Sequence, residues 1–470
     1  MGRLVCVSNR IPLGADPSGG LVVALGDVLA GSDGVWIGAA GGPVETPARS
    51  LTPIEGGPFR RLSFDLTEAE LAGYYAGYAN AVLWPILHGR ADLMAISGEA
   101  LSVYKAVNRR IARMLMPELR PDDLVWVHDF HLFPLAHELR VLGARNRIGF
   151  FLHTPFPAPF DMAALPNGLE LCHWLMRYDL VGLQGTRDVR KFRASLRALA
   201  EADTGPEPGA TSGLDEDAAE DDGVIRLAGN VARVAAFPIA IDTAEFAALA
   251  EAEHGRLPPG IVKPDRALMI GVDRLDYSKG IPQRFRSFDT FLDRHPDMHR
   301  HVSLLQIAPP TREGVEAYDA IRAETEALAG RINGAHADLG WAPIRYIHRH
   351  VARETLAGLF RAARVGLVTP LMDGMNLVAK EYVAAQDPAD PGVLVLSQFA
   401  GAAEQMEDAL IVNPHDIEQV AGAMLTALTM APGERRKRHE QLLEGLEARD
   451  VHWWAQAFLD ALRDRPAAAA

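Results

Sequence analysis

Short continuous apolar runs alternate with amphipathic segments along most of the chain. The amphipathic segments include residues 99–116 and 315–329. Apolar runs without polar interruption are typical of strands covered on both faces, as in parallel α/β sheets. The pattern predicts eleven strands in two doubly wound α/β domains. The predicted strands are 4–7, 124–128, 148–153, 180–183, 234–241, 268–272, 302–307, 344–347, 365–368, 393–396 and 410–412.

Composition narrows the class of protein. The chain has 470 residues, of which 48% are hydrophobic and 23% charged, so we expect a folded globular protein rather than a disordered one. Its net charge of -14 argues against nucleic acid or an anionic membrane as the main partner. No apolar run is long enough for a membrane span, and a strand-like run at 4–7 leaves no room for a signal peptide. Two cysteines, Cys6 and Cys172, predict neither a disulfide framework nor a metal cluster, and we expect a cytoplasmic protein.

The acidic charge is concentrated in one segment. Residues 201–223 contain nine Asp and Glu and no Lys or Arg, among Gly, Pro, Ser and Thr. We interpret this segment as a solvated surface insertion rather than an interaction loop. We place the domain boundary after it, giving domains 1–239 and 240–451. The last helix, 452–466, carries an apolar stripe at Trp454, Phe458 and Leu462, and we predict that it packs back on the first domain.

Polar residues follow three predicted strands of the first domain. Arg10 follows the first strand, and the pair Gly19-Gly20 comes before a helical pattern, an arrangement that suits an anion site or a simple turn. Asp129 follows the strand at 124–128, and His153 ends the strand at 148–153. Because ligands of open α/β sheets bind beyond the carboxyl ends of strands, these side chains are site candidates. A histidine satisfied within the core is the alternative for His153.

A second set follows two strands of the second domain. Arg274 and Lys279 flank Asp276 after the strand at 268–272, which suits a diphosphate ligand or a salt-bridged loop built on Asp273 and Asp276. After the strand at 365–368, Pro370 and Gly374 predict a turn into a helix that begins near residues 375–377. Free N–H groups at such a helix start can bind phosphate. Glu381, in the first turns of that helix, is a candidate acceptor for ribose hydroxyls. These two segments favour a nucleotide-diphosphate ligand.

Six segments in order carry a resemblance to a known family. They are Asn80–Pro85 (NAVLWP), His128–Leu132 (HDFHL), His153–Pro157 (HTPFP), Asp273–Gly280 (DRLDYSKG), Asp373–Glu381 (DGMNLVAKE) and Ser397–Gly401 (SQFAG). The chain resembles the trehalose-6-phosphate synthases, which are retaining glycosyltransferases. The resemblance implies a GT-B fold, in which two Rossmann-like doubly wound domains face a central cleft. It also implies an acceptor role for the first domain and a nucleotide-sugar donor role for the second.

The resemblance implies an activity and its residues. The family moves glucose from a nucleotide-diphosphate glucose, usually UDP-glucose and in some members GDP-glucose, to glucose 6-phosphate, and forms α,α-trehalose 6-phosphate without a metal or cofactor. It implies small-molecule substrates, and we expect a homo-oligomer. The implied donor-binding residues are Gly19, Gly20, Arg274, Lys279, Asp373, Gly374, Met375, Asn376, Leu377, Val378 and Glu381. The implied acceptor-binding residues are Arg10, Tyr75, Trp84, Asp129 and Arg312. Asp129, His153, Arg274 and Lys279 are the implied catalytic residues.

The mechanism and the acceptor leave alternatives. Arg274 and Lys279 would stabilise the charge that develops on the leaving diphosphate. Retention suits a front-face mechanism, and Asp129 as a nucleophile is the competing possibility. The family commonly has a second Trp after Gly38, where this chain has Ala39 and Ala40. A glucosylglycerol-phosphate synthase that uses ADP-glucose and glycerol 3-phosphate is therefore an alternative, and a non-catalytic sugar-phosphate sensor is another.

Overall fold

The chain forms two compact α/β units. The computed structural model describes residues 2–11, 25–26, 28–29, 33–57, 59–204, 223–227, 229–257, 260–263, 265–311 and 316–464. Unit 1 comprises Met1–Pro238 and His452–Ala470, and unit 2 comprises Ile239–Val451. Among the described residues, no helix is both long and apolar enough to cross a membrane.

Strands occur throughout both units. Within the described ranges they are β1 Leu4–Arg10, β2 Val35–Ala39, β3 Thr52–Ile54, β4 Arg60–Phe64, β5 Leu124–His128, β6 Arg147–Phe151, β7 Leu180–Leu183, β8 Val224–Leu227, β9 Asn230–Ala236, β10 Ala267–Val272, β11 Val302–Ile307, β12 Ile344–Ile347, β13 Val365–Val368, β14 Val393–Ser397 and β15 Leu410–Val412.

Helices connect most of these strands. They are α1 Glu68–Glu70, a π-helix Leu71–Leu83, α2 Trp84–Leu87, α3 Gly98–Leu115, α4 Leu135–Val141, α5 Pro159–Ala163, α6 Gly168–Leu175, α7 Thr186–Thr204, α8 Thr243–Ala252, α9 Ile281–Arg294, α10 Glu316–His336, α11 Arg353–Ala362, α12 Leu377–Ala385, α13 Ile417–Thr429, α14 Pro432–Ala448 and α15 Val451–Arg463. Short 3-10 turns separate several of them.

Each unit is built on one mainly parallel sheet. The sheet of unit 1 has the order β3-β4-β2-β1-β5-β6-β7-β9-β8, and among its described strands the antiparallel pairs are those at the two edges. The sheet of unit 2 has the order β12-β11-β10-β13-β14-β15, and all its pairs are parallel. The central strands are buried along nearly their whole length, as their uninterrupted apolar sequence predicts. The predicted α/β class is therefore confirmed.

Helix α15 packs on the sheet of unit 1. Phe458 is fully buried and stacks on Trp126 of β5, with ring centroids 4.3 Å apart and planes at 7°. Gly149 of β6 and Gly182 of β7 make room for this ring, since a Cβ on either would lie within 2.8 Å of it. The two glycines and the aromatic stripe of the last helix thus form one packing unit.

The structure extends the predicted elements at several places. All eleven predicted strands correspond to observed strands, but the run predicted at 234–241 is β9, which begins at Asn230 and ends at Ala236. Four of the described strands, β2, β3, β4 and β8, were not predicted. Of these, β3 is short and largely exposed and β4 begins with two arginines, so neither has a continuous apolar run. In the acidic segment, residues up to Thr204 belong to α7, and residues 205–222 lie outside the described part of the chain.

Candidate active site

The candidate residues of unit 1 lie at the carboxyl edge of its parallel sheet. Arg10 ends β1, Asp129 directly follows β5, and His153 lies two residues after β6. Strand β1 lies between β2 and β5, so the chain direction across the sheet reverses between β1 and β5. This reversal leaves a crevice where open α/β sheets bind ligands.

The Tyr75 ring contacts a cation and an imidazole. The Arg10 guanidinium carbon lies 5.6 Å from the centroid of the Tyr75 ring. The His131 ring stacks on Tyr75 at 5.7 Å, with planes at 11°. Tyr75 belongs to the π-helix, a geometry that is rare and frequent at functional sites. The structure therefore brings the predicted residues Arg10 and Tyr75 together and adds His131 to them.

Trp84 packs against Phe130, the residue that follows Asp129. The Trp84 ring is almost fully buried and lies 5.8 Å from the Phe130 ring, which directly follows Asp129. Asp129 has φ of 74°, a left-handed backbone conformation that is strained for a side chain with a Cβ. Its N–H donates to the carbonyl of Phe151 at 2.8 Å, which holds this conformation. Such strain is typical of residues that a site positions for function.

His153 is held by two neighbouring strand ends. Its backbone N–H donates to Asp129 Oδ1 at 3.3 Å, and its carbonyl accepts from Gln184 Nε2 at 3.4 Å. Its ring Nε2 lies 3.2 Å from Nδ1 of His128. Burial lowers the pKa of His153 to about 3 and that of His128 well below its ordinary value. Both imidazoles are therefore neutral at physiological pH.

The candidate residues of unit 2 also lie at a reversal of strand order. Strand β10 lies between β11 and β13, so the loops that follow β10 and β13 emerge side by side at the carboxyl edge. These loops carry the predicted segments 273–280 and 369–378. Leu371 N–H donates to the carbonyl of Ser278 at 2.7 Å, which joins the two loops.

Lys279, Asp373 and Asn376 form one polar cluster. Lys279 is only 8% exposed and its ammonium group makes a short ion pair with Asp373 Oδ2. Asn376 Nδ2 donates to the same oxygen at 3.0 Å, and its Oδ1 caps α12 by accepting from Ala379 N–H at 3.1 Å. The helix therefore begins at Leu377, within the predicted range of 375–377. Leu377 and Val378 in its first turn are half-buried.

The loop that follows β14 is hydrogen-bonded to the turn that carries this cluster. Gly401 N–H donates to the carbonyl of Asp373 at 3.1 Å, and Ala402 N–H donates to that of Met375 at 2.9 Å. A Cβ on Gly401 would lie 1.8 Å from the carbonyl oxygen of Gly374, so only glycine permits this approach. The segment after β14 is thus a support of the 373–376 turn.

A buried arginine organises the start of the β10 loop. Arg284 of α9 is 1% exposed and pairs with Asp273 Oδ2 at 2.6 Å. It also donates to Gln306 Oε1 at 2.7 Å and to Thr369 Oγ1 at 3.0 Å. Burial raises the pKa of Asp273, and the Arg284 guanidinium opposes that rise. Arg284 therefore ties β10, β11 and β13 together at the loops of the site.

The loop does carry salt bridges, and the ion pairs of Asp273 and Lys279 have partners outside it. Asp273 pairs with Arg284, which lies on α9 outside the loop. Asp276 accepts from Ser278 N–H at 2.9 Å and from the Tyr318 hydroxyl at 3.0 Å, and Lys279 pairs with Asp373. Arg274 is exposed, as a residue that meets a ligand needs to be. Sequence reasoning missed Arg284 and Tyr318, because their positions on helices give no local signal.

Glu381 lies on α12, in its second turn. Its side chain is half-buried, and burial raises the pKa of its carboxyl to about 7 while the charge of Arg353 lowers it. Arg353 itself makes two hydrogen bonds to Glu245, at 2.8 and 3.1 Å. Glu381 therefore changes charge near neutral pH, which an ordinary glutamate does not.

Three predicted residues, Gly19, Gly20 and Arg312, lie outside the described residues. In the part of the chain that the structure describes, no group of three or more His, Cys, Asp or Glu side chains is arranged to hold a metal ion.

Comparison with known proteins decides the family. The family model described as Glycosyltransferase family 20 matches residues 11–464. The chain belongs to glycosyltransferase family 20. Trehalose-6-phosphate synthase from Cronobacter sakazakii is 43% identical over 473 aligned residues, which cover 98% of this chain and 95% of that protein. The fold is of the GT-B type, with two Rossmann-like units.

Two solved structures that are similar to this chain contain ligands. One, from E. coli, is bound with UDP-2-fluoro glucose; it is 42% identical, has a TM-score of 0.91, and the match covers 99% of this chain and 100% of that one. The other is an alpha,alpha-trehalose-phosphate synthase (UDP-forming) from Burkholderia xenovorans in complex with glucose-6-phosphate. It is 44% identical, with a TM-score of 0.88, and the match covers 98% of this chain and 100% of that one.

Proposed function

We propose that this protein is a retaining glucosyltransferase. It transfers glucose from UDP-glucose to glucose 6-phosphate and releases α,α-trehalose 6-phosphate and UDP. The observation that carries the proposal is full-length similarity to trehalose-6-phosphate synthases, including relatives with a UDP-glucose analogue and with glucose-6-phosphate bound. Two polar sets at the carboxyl edges of two sheets support it, since the reaction needs one site for each phosphorylated substrate.

Unit 2 binds the donor in this proposal. Exposed Arg274 and buried Lys279 bind the diphosphate, the first as a fork and the second as a point charge held by Asp373. The backbone of the 373–378 turn and the start of α12 bind the donor sugar and phosphate. Glu381 accepts hydrogen bonds from the ribose hydroxyls. Gly19 and Gly20 cover the donor, an assignment that rests on the family resemblance alone.

Unit 1 binds the acceptor in this proposal. Arg10 binds the acceptor phosphate, and Tyr75, which lies under its guanidinium, orients it. Trp84 and Asp129 lie beside the acceptor sugar, and His153 faces the donor glucose. Arg312 completes the phosphate site, again on the resemblance alone.

Catalysis is electrostatic in this proposal. The leaving diphosphate gains charge as the glycosidic bond breaks, and Arg274 and Lys279 stabilise that charge more in the transition state than in the ground state. A departing phosphate oxygen takes the proton of the acceptor hydroxyl on the same face, which retains the anomeric configuration. Asp129 as a nucleophile would instead form a covalent glucosyl ester. Mass spectrometry of the protein quenched during turnover with UDP-glucose distinguishes the two, because only a nucleophilic Asp129 gains the mass of a glucosyl group.

We further propose a cytoplasmic homo-oligomer. Cys6 and Cys172 are both free thiols, as in proteins of a reducing compartment, and Leu339 and Phe160 are strongly exposed apolar side chains that self-association would cover. Sedimentation velocity of the wild type and of Phe160→Ser and Leu339→Ser tests the assembly. A monomer at all concentrations contradicts it.

A substrate panel tests the activity. Purified protein is mixed with UDP-, GDP- or ADP-glucose and with glucose 6-phosphate or glycerol 3-phosphate, and nucleoside diphosphate release is measured. We expect release with UDP-glucose and glucose 6-phosphate. Release only with ADP-glucose and glycerol 3-phosphate would transfer the assignment to a glucosylglycerol-phosphate synthase, which the loss of a Trp near Ala39 and Ala40 makes worth testing. No release with any pair would favour a sugar-phosphate sensor and contradict the transferase.

Arg274→Ala tests the donor site. We expect kcat to fall by about 100-fold or more, because removal of one group that stabilises transition-state charge has an effect of that order. Arg436→Ala is the matched control, since Arg436 is an exposed arginine of α14 in the same unit. Near-normal turnover of Arg274→Ala would mean that another residue binds the diphosphate.

A further inference from the structure

The ring of His128 is the hydrogen-bond partner of the His153 ring. His128 ends β5 and is 1% exposed, whereas His153 is half-buried. His128 Nδ1 and His153 Nε2 are 3.2 Å apart, so one nitrogen donates and the other accepts. Because both rings are neutral, each carries a single N–H, and the direction of this one hydrogen bond fixes the tautomer of both.

The direction of that bond decides what His153 offers a ligand. If His128 Nδ1–H donates, His153 Nε2 is the acceptor, and the proton of His153 is on Nδ1. If His153 Nε2–H donates instead, its Nδ1 carries no proton and can only accept a hydrogen bond. Within the described part of the chain Nδ1 makes no hydrogen bond, so it is the ring nitrogen left for a substrate. One tautomer presents a donor to the sugar and the other presents an acceptor.

Two indole rings pack near His128, and one of them, that of Trp454, lies equally close to the His153 ring, at 6.5 Å. Trp126 lies two residues before it on the same face of β5, with ring centroids 4.7 Å apart, and Trp454 of α15 lies 6.5 Å from it. The two indoles are 5.0 Å from each other. All three rings are at most 1% exposed. Trp126 Nε1, Trp454 Nε1 and His128 Nε2 are all buried without a hydrogen-bond partner among the described residues.

The chemistry of these three atoms selects one tautomer. Both indole nitrogens are donors only. A proton on His128 Nε2 would place a third buried donor beside them with no acceptor in the cluster. A lone pair there is the one acceptor among the three atoms, and a single buried water would join it to an indole N–H. The cluster therefore favours the proton of His128 on Nδ1, where it donates to His153.

We propose that Trp126, Trp454 and His128 act as positioning residues that hold His153 with its proton on Nδ1, so that His153 presents a hydrogen-bond donor to the donor sugar. The identity of the sugar rests on the proposed function, whereas the tautomer does not. The backbone of His153 is fixed separately by Asp129 and Gln184, so the ring nitrogen is presented at a fixed place. A residue of the last helix, Trp454, thereby contributes to the site.

Nitrogen NMR of the free protein tests the tautomers without any substrate. In protein labelled with 15N-histidine at pH 7.5, the two ring nitrogens of a neutral imidazole have separate shifts that report which one carries the proton. The His128 and His153 signals are assigned as those absent from His128→Asn and His153→Asn. We expect the proton on Nδ1 in both rings. A proton on Nε2 of His153 in the wild type would overturn the proposal.

An isosteric pair of variants separates positioning from packing. His128→Asn places an amide N–H near the position of Nδ1, whereas His128→Leu has a similar volume and no donor. We expect His128→Asn to keep the proton of His153 on Nδ1 and to retain kcat within about fivefold. We expect His128→Leu to lose the single tautomer and to lower kcat by tenfold or more, with KM for glucose 6-phosphate unchanged. Equal kcat and equal His153 spectra in the two variants would overturn the positioning role.

Trp454→Phe tests the contribution of α15. It keeps an aromatic ring in the cluster and removes the indole N–H together with the second ring of the indole. We expect a second population of His128 with its proton on Nε2, and a smaller fall in kcat than His128→Leu gives. An unchanged His128 spectrum would remove Trp454 from the proposal.

The tautomers and the proposed function can fail separately. An inactive wild type that shows the expected tautomers would contradict the proposed function and leave the tautomer assignment standing.

Discussion

The proposed sites of the two units lie at the same place in the fold and are built with different chemistry. In unit 1 the site is held by rings: Arg10 lies over Tyr75, which stacks on His131. In unit 2 it is held by charges: Lys279 pairs with Asp373, and Arg284 pairs with Asp273. The difference follows from the proposed substrates. A sugar phosphate needs a shaped pocket with one anion site, whereas a diphosphate needs cations whose positions are fixed by buried acids.

The two units also differ in the residues that pack behind each proposed site. Behind the site of unit 1, Phe458 and Trp454 of α15 pack on strands β5, β6 and β7. Behind the site of unit 2, Arg284 bonds to residues on or just after β10, β11 and β13. Aromatic packing tolerates partial loss, since each contact is weak, whereas a buried ion pair leaves an uncompensated charge when one partner is removed. Five predictions test this contrast.

The largest effect is expected at Arg284. Arg284→Leu leaves the buried carboxylate of Asp273 without its partner, and we expect unit 2 to lose about 4 kcal/mol of its free energy of unfolding. Urea unfolding followed by hydrogen exchange of peptides from β10 and α9 measures the loss. Combining it with Asp273→Ala removes both charges and should recover part of the stability. A double variant less stable than Arg284→Leu would contradict the ion-pair explanation.

The next effect is expected at Phe458. Phe458→Ala empties a fully buried ring site between Gly149 and Gly182, and we expect unit 1 to lose about 3 kcal/mol. Hydrogen exchange of peptides from β6 and β7 should rise while those of β10 do not. The matched control is Val141→Ala, because Val141 is 67% exposed and its truncation should leave stability unchanged. Equal losses in the two variants would mean that α15 does not support this sheet.

A smaller effect is expected at Tyr75. Tyr75→Leu removes the ring that lies under the Arg10 guanidinium, a contact worth about 1 kcal/mol, so we expect KM for glucose 6-phosphate to rise about fivefold. Tyr75→Phe keeps the ring and should retain more affinity. Steady-state kinetics with each substrate varied in turn measures both. A change in KM for UDP-glucose alone would show that Tyr75 binds the donor, and would contradict the assignment of the acceptor site to unit 1.

The smallest effect is expected from pH at Glu381. Its pKa of about 7 means that the carboxylate, the stronger acceptor for ribose hydroxyls, forms only as pH rises through 7. We therefore expect KM for UDP-glucose to fall by a factor of about two to three from pH 6 to pH 8, and this change to be absent in Glu381→Gln. Glu354→Gln, at an exposed glutamate nearby, is the control.

The pH dependence of stability at Glu381 should have the opposite sign to that of UDP-glucose binding. The pKa of Glu381 is raised in the folded state, so its contribution to stability is complete below the unfolded value and is lost as pH rises through about 7. The wild type should therefore lose stability relative to Glu381→Gln between pH 5 and pH 8. Thermal unfolding of both proteins across that range measures the difference. A wild type that gains stability relative to the variant would show that Glu381 is not held neutral by burial.

The sequence by itself determined the fold class and the strands that carry the site. Continuous apolar runs located the central strands, because strands buried on both faces need apolar side chains at every position. The turn at Gly374 and the helix start near Leu377 were also predictable, since they depend on local backbone preferences. The six family segments predicted the family, and the family model that matches residues 11–464 confirms it.

Only the tertiary structure decided which groups meet. The order of strands in each sheet placed β1 beside β5 and β10 beside β13, and no local pattern encodes that order. The partners of the site residues lie far away in sequence: Arg284 for Asp273, Asp373 for Lys279, and Trp454 for the cluster around His128. Burial and the pKa shifts that follow from it depend on this packing. The sequence therefore predicts the chemistry that is present, and the fold determines which of these groups are paired, charged and exposed.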